Sequence, residues 1–339
     1  MKKKVLITMA EGATRRSFFP DDVKRFLDEH FDVTWNETGK KMERADLAGL
    51  LPDFDAVMTG WGSAFYDAEL LGENPRLKLI AHTGGTVGNL LDATVYDRGV
   101  RVLTENVIYA ESVAEGTIAY ILAAQRSIPD YVNITRGGGW KDNGSPFGAW
   151  DSLMDKIVGL VGFGTITRFL IPLLAAFRCD IRLFSHHAPS EEYRKQYGIT
   201  MMELDDLFAT CDIISVHSAL NPENRALVGA EQLEKIRDGA LLLNTSRGAV
   251  LDEDALIAEA SKGRFRVVLD VYVHEPLPKD SPLLHLPNVY CIPHMAGPTM
   301  DRRGYGTREL AKEMVRFFEG EIDLPLEISR EVSARMTKM

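Results

Sequence analysis

Twice along the chain, short runs rich in Val, Ile and Leu alternate with helix-favouring segments, and this repetition leaves few folds open. In the first hundred residues "KVLITM", "DVTWN", "DAVMTG", "LKLIAHT" and "VRVLT" read as strands, with "PDDVKRFLDEHF", "ERADLAGLL" and "DATVYDRG" as helices between them. A second series starts at Lys156 with "KIVGLVGFG" and continues through "DIRLFS", "DIISVH", "GALLLNTS", "FRVVLDVY" and "NVYCIP". Strands separated by helices pair in parallel, so each series predicts a sheet wrapped by helices. Between the two, a helix-compatible run extends from Tyr109 to about Arg126, and "RGGGWKDNGSPFGAW" reads as a linker or arm. The last helix, roughly residues 299–319, has no new sheet to join; its return to the first domain would make that domain discontinuous. With 339 residues and a prior of roughly 150 per domain, two domains are expected.

Composition narrows the partners. Lys and Arg number 39 against 49 Asp and Glu, a net charge of −10. No stretch mixes Lys and Arg with aromatic residues as a nucleic-acid face does, so nucleic acid is not expected. An anionic substrate gains no long-range attraction from such a chain and has to be captured by a local cation. No apolar run approaches the roughly 18 to 20 residues of a membrane span, and the start of the chain lacks the apolar core of a signal peptide. Cytoplasmic location is the expectation. Cys179, Cys211 and Cys291 are odd in number and widely spaced beside apolar strands, which suits reduced, buried thiols rather than disulfides or a metal site.

In "IVGLVGFGTITRFLIPLLAAF" a buried-type strand enters a glycine turn and leaves as an apolar helix. Gly162 permits the tight turn, Gly164 removes a side chain where the backbone must approach a pyrophosphate, and the following helix offers unpaired N–H groups. Thr167 stands where a third glycine would allow close helix–strand packing, at some cost in closeness. At the end of the next strand an acid normally accepts the adenosine ribose hydroxyls. Here "RLFSHHAPS" places Ser185, His186 and His187, with no acid until Glu191. A hydroxyl and imidazoles can donate to a 2′-phosphate, which favours NADP(H) slightly over NAD(H); the alternative is surface histidines that merely fill a turn.

Three further stretches fall at the ends of second-series strands, where open α/β sheets place ligands. They are "NTSRG" with Arg247, "DVYVHEP" with Asp270 and Glu275, and "IPHMAG" with His294. Reducing a ketone needs a hydride donor, a proton donor and a cation for the neighbouring carboxylate. Arg247 can grip a carboxylate in bidentate fashion and polarise the carbonyl. Imidazole changes charge at ordinary pH, so His294 suits the proton donor, and a nearby Glu275 would favour its charged form. Taken singly, Arg247 could also be a surface charge, Glu275 a solvated loop residue and His294 a satisfied core histidine. His217, ending "ISVH", is a weaker candidate on the cofactor side, and His82 reads better as packing at a strand end.

Together "IVGLVGFG", "LLLNTSRG", "VLDVYVHEPL" and "CIPHMAG", preceded by "ESVAEGTIAYILAAQR" and "GGGW", resemble the D-isomer-specific 2-hydroxyacid dehydrogenase family, most strongly from Asn106 to Gly297. The resemblance implies an α/β protein with two doubly wound parallel-sheet domains. One is a flavodoxin-like substrate domain of residues 1–106 and 295–339; the other is an inserted NAD(P)-binding Rossmann domain of residues 107–294. It also implies a homodimer held by the Rossmann domains and the arm around Trp140, and a small 2-oxo or 2-hydroxy acid bound between domains. Carried over by position, Arg247 resembles the substrate-binding arginine, His294 the acid/base and Glu275 its paired carboxylate. Asp270 matches the residue near the nicotinamide amide, Thr245 and Ser246 the cofactor-facing turn, and Thr165 with Ile166 the pyrophosphate loop; His217 and Gly297 join the cofactor set. Gly85 and Thr86 fall near the carboxylate-binding loop of the first domain, although "HTGGTVGNLLD" departs from the usual pattern. The interval from Arg247 to Glu275 is one residue shorter than usual. Formate dehydrogenases, which resemble this family, carry glutamine in place of Glu275; phosphite oxidation would keep the same trio, and cofactor-sensing corepressors form a rival of another class.

Overall fold

A computed structural model describes residues 1–73, 76–141 and 150–336. It divides into two compact units, residues 1–109 with 298–339, and residues 110–297. The joins lie at 109/110 and 297/298 rather than at 106/107 and 294/295, the first of them falling inside the helix Asn106–Gln125.

In the first unit β1 (Lys3–Ile7), β2 (Phe31–Trp35), β3 (Ala56–Thr59), β4 (Leu79–His82) and β5 (Arg101–Thr104) form one sheet in the order β2-β1-β3-β4-β5. Every pair is parallel, with Val5 opposite both Val33 and Ala56. Alternation along β1 sends Val5 and Ile7 to one face, where they meet Phe18, Leu27, Leu310 and Met314, and Leu6 to the other with Leu47 and Val95. Leu310 and Met314 belong to the helix Met300–Glu319, so the tail of the chain covers the sheet with which the chain began. Beyond it, Ile328 N–H donates to Val102 O and Thr104 N–H to Leu326 O, which pairs the open edge of β5.

The second unit adds β6 (Ile157–Val161), β7 (Asp180–Phe184), β8 (Thr200–Met201), β9 (Ile213–Val216), β10 (Leu241–Asn244), β11 (Arg266–Leu269) and β12 (Val289–Cys291). They pair in parallel throughout, in the order β12-β11-β10-β9-β6-β7-β8. The order reverses between β6 and β9, and the crevice beyond the carboxyl ends of strands at such a reversal is where these sheets take ligands. One face packs Val161, Val216, Leu242 and Val267; the other packs Leu160, Leu183, Leu243 and Val268.

Some elements differ from expectation. The helix Asn106–Gln125 is long and apolar enough, by length and composition, to cross a membrane, although no run was expected to approach that size. Its apolar character has a use within the unit, since Ala114, Ile121 and Ala124 pack in the core with Leu160 and Leu170. The helix Ile128–Arg136 fills the stretch between the helix expected to reach about Arg126 and the arm that begins at Arg136, a stretch for which no element was expected. Ser127, at φ 48, turns the backbone out of the preceding helix, and Pro129 is tolerated in the first turn, where its missing N–H breaks no helical bond. Residues 142–149 of the expected arm lie outside the described residues. The three cysteines are free as expected, but only Cys211 is buried; Cys179 and Cys291 are half-buried.

Candidate functional site

The glycine turn sits at the strand reversal of the second unit. Gly162 has φ 103, and a Cβ there would lie 3.0 Å from the backbone carbonyl of His217 and the Cα of Ser218, so the two strand ends approach too closely for a side chain. A Cβ on Gly164 would meet nothing within 4 Å, leaving open space before the helix Thr165–Ala176. Thr167 has a definite job at the supposed third-glycine position. Its Oγ1 accepts from Gly164 N–H at 2.8 Å and donates to Gly164 O at 3.0 Å. It is a side-chain cap that closes the turn from within while Thr165 and Ile166 head the helix. His217, just past β9, donates its backbone N–H to Val161 O at 2.8 Å, and its Nε2 lies 2.8 Å from Ser215 Oγ. Burial lowers its imidazole to about 4, so the ring is neutral, and Nδ1 is buried with no partner.

The next three strand ends bring the expected acid–base residues to one region. Arg247 follows β10, half-buried, with Nη1 donating to Ser246 O at 2.6 Å and Nε buried without a partner. Burial pushes its guanidinium down from the ordinary value, and the charge of Glu275 works against that shift. Gly248 makes this proximity feasible, because a Cβ there would lie 2.0 Å from the carbonyl carbon of Tyr272. The Arg247 loop thus rests directly on the backbone that leads to Glu275.

Both oxygens of Glu275 are engaged. Oε1 accepts from Tyr272 N–H at 3.0 Å, which fixes the carboxylate, and Oε2 lies 2.7 Å from His294 Nδ1. Since a carboxylate only accepts, Nδ1 carries the hydrogen. Nε2 is left as the ring's other working nitrogen, on a side chain that is 45% exposed. His294 stands at φ 53, in the left-handed region that costs a residue with a side chain about 1 kcal/mol or more. Asp270 compensates: its carboxylate accepts from Met295 N–H at 2.7 Å, Ala296 N–H at 3.0 Å and Tyr120 O–H at 3.1 Å. It is therefore a positioning residue for the histidine loop, a role that sequence reasoning missed. Gly116, whose Cβ would come 2.9 Å from Ala296 O, brings the helix Asn106–Gln125 up against the same loop.

The remaining predicted residues fall as follows. Thr245 is buried, with Oγ1 3.4 Å from Thr117 Oγ1, and Ser246 Oγ donates to Asn244 Oδ1 at 2.8 Å, which folds the turn after β10. Gly297 ends the second unit with open space around its Cα. Ser185 Oγ donates to His187 O at 3.1 Å and accepts from His187 N–H at 3.3 Å, so the hydroxyl also folds its own turn, beside exposed His186 and His187. Gly85 and Thr86 belong to the first unit; Gly85 rests on the Tyr109 ring and Thr86 Oγ1 accepts from Gly88 N–H at 3.3 Å. Among the described residues no group of three or more His, Cys, Asp and Glu could hold a metal. A dinucleotide fits what is there: a glycine turn with no room for a side chain at Gly162, an open approach at Gly164, and the buried, partnerless His217 Nδ1 at the neighbouring strand end.

Comparison with known proteins agrees with this geometry. The family model "D-isomer specific 2-hydroxyacid dehydrogenase, NAD binding domain" matches residues 118–296. A glyoxylate/hydroxypyruvate reductase B of Pectobacterium atrosepticum is 32% identical over 294 residues, covering 84% of this chain and 87% of that protein. A D-3-phosphoglycerate dehydrogenase of Mycobacterium bovis is also 32% identical, over 87% of this chain, but the match spans only 54% of that protein. Among solved structures, the TT0316 protein from Thermus thermophilus superposes with a TM-score of 0.77 at 26% identity, covering 96% of this chain and 100% of the other.

Proposed function

We propose, for a chain that belongs to the D-isomer-specific 2-hydroxyacid dehydrogenase family and is thus an NAD(P)-dependent oxidoreductase acting on a CH–OH group, that it interconverts a 2-oxo acid and its (R)-2-hydroxy acid. The observation that carries this reading is the His294–Glu275 contact of 2.7 Å on a histidine held left-handed beside the Arg247 loop. The nicotinamide, when bound, supplies or accepts the hydride. His294 gives the carbonyl oxygen its proton from Nε2 in the reductive direction and takes it back in the oxidative one, while Nδ1–H stays on Glu275. Arg247 clamps the substrate carboxylate, and its partnerless Nε offers one of the donors needed for a bidentate grip. We assign Gly85 and Thr86 to substrate binding. Gly162, Gly164, Thr165 and Ile166 would hold the pyrophosphate, with His217, Thr245, Ser246 and Gly297 along the rest of the cofactor.

NADP(H) is preferred slightly over NAD(H), on the strength of Ser185, His186 and His187 in place of an acid. The working form is a homodimer. A groove of about 890 Å³ lined by Ile128, Tyr131, Val132 and Trp150 leaves apolar side chains in solvent, which a second copy would cover. The direct test of the reaction is a panel of glyoxylate, hydroxypyruvate, pyruvate and longer 2-oxo acids with NADPH and NADH. Reduction of at least one is expected; reduction of none overturns the reading. Ser185→Asp should move preference toward NADH, and an unmoved ratio removes the case for the phosphate.

A further inference from the structure

The first unit has a pocket of about 320 Å³ that none of the roles above uses. Its sheet order reverses between β1 and β3, and the pocket opens there, lined by Thr8 and Met9 after β1, Lys41 after β2, and Trp61 and Ser63 after β3. That is the place where a parallel sheet of this order takes ligands.

Its walls are fixed. Phe18 meets the Trp61 ring edge-on at 5.1 Å and the Arg303 guanidinium lies over it at 5.0 Å, yet the indole remains 48% exposed. Ser63 N–H donates to Gly60 O at 3.2 Å and Gly60 N–H to Ser63 Oγ at 3.1 Å, which closes the loop into a turn. Within that turn Gly62 has φ 74, and a Cβ there would lie 2.4 Å from Lys41 Nζ. The loop thus omits a side chain at the spot that the ammonium occupies. The polar groups nearby are already engaged: Thr8 Oγ1 donates to Met58 O at 3.2 Å and lies 3.3 Å from Ser63 Oγ. The acid on the wall, Glu11, is held by Arg15 and Arg16. Among the described residues Lys41 has no carboxylate to pair with, in a chain whose net charge is −10.

We propose that this pocket binds the acidic group of a small molecule, a carboxylate or a phosphate ester, with Lys41 as counter-charge and Trp61 as the apolar wall. The acid has two sources, a second acidic group carried by a 2-oxo acid substrate or a separate anionic effector. The first source rests on the dehydrogenase reading, whereas binding itself does not.

The test uses the full chain, wild type and the variants K41M and K41R, in two arms. In the first, malonate, inorganic phosphate and acetate are titrated without cofactor against tryptophan fluorescence, with W61F to identify the signal. Saturable quenching by malonate or phosphate is expected, kept in K41R and weakened about tenfold in K41M at unchanged Tm. In the second, kcat/KM is measured for 2-oxoglutarate and for glyoxylate. A ratio that falls about tenfold in K41M assigns the site to substrate, and an unchanged ratio beside altered quenching assigns it to an effector. Quenching and ratio both unchanged in K41M overturn the proposal. If wild type turns over no 2-oxo acid, the dehydrogenase reading fails, and the fluorescence arm alone decides this one.

Discussion

The two sheets reverse their strand order in comparable places but finish their strand ends differently. In the first unit the polar groups after β1, β3 and β4 are bonded among themselves: Thr59 Oγ1 lies 2.9 Å from His82 Nδ1, Thr83 Oγ1 donates to Thr59 O, and Thr8 Oγ1 donates to Met58 O; after β5, Glu105 Oε2 is buried without a partner. In the second unit His217 Nδ1 and Arg247 Nε are buried at strand ends with nothing to bond. An unsatisfied buried polar atom costs about 1–3 kcal/mol, and a chain that keeps two of them at one end of a sheet has use for them when a ligand arrives. The proposed reacting end lies in the second unit, where His217 Nδ1 and Arg247 Nε are accompanied by the His294–Glu275 pair; the first unit contributes the pocket beside Lys41.

Substitutions at matching places should separate the two roles. Of the paired substitutions, the larger effect on turnover is expected from Arg247→Ala, with kcat/KM for the preferred 2-oxo acid falling about 10²- to 10³-fold while Tm changes little. His82→Gln, at a strand end of the first unit, should show the reverse pattern, altered Tm with kcat/KM nearly kept. Equal effects on activity from both would erase the distinction.

Acid should expose what the sheets share. Burial lowers His82 and His217 each to about 4 from 6.5. Between those pH values the unfolded chain binds protons that the folded chain refuses, so stability falls as pH drops from 6.5 to 4 and is unaffected by these groups above that range. Each histidine contributes on the order of 3 kcal/mol to the loss. Thermal unfolding from pH 7.5 to 4 should show the slope reduced by His82→Gln in one unit and by His217→Gln in the other; a slope unmoved by either assigns acid sensitivity elsewhere. A smaller effect is expected at the glycine turn, where Thr167→Val removes the cap and should lower stability by about 1 kcal/mol, read as a reduced Tm with weaker NADPH binding. An unchanged Tm would make Thr167 a mere filler of the third-glycine position.

Much of this was legible in the sequence where the signal is local. Strand periodicity gave the strands of both sheets except β8, whose two residues show no alternation to read. Arg247, Glu275 and His294 each stand just after a strand, and their residue types suggested the chemistry. Hydrogen bonds made across long stretches of chain left no such trace. Asp270 binds the backbone 25 and 26 residues on, which no pattern around "VLDVY" announces. Thr167 looked like a flawed glycine because its bond to Gly164 replaces close packing with capping. The helix Ile128–Arg136 was hidden by its own Pro129 and by the left-handed Ser127 before it. Lys41 lies in a loop without periodicity, and its importance follows from what surrounds it in space.

The most direct test of the central claim is His294→Gln, assayed for NADPH binding by fluorescence and for steady-state reduction of the preferred 2-oxo acid. Binding should stay near the wild-type value while kcat/KM falls by about 10²- to 10⁴-fold. Turnover close to wild type in that variant would contradict the assignment of the proton to the imidazole.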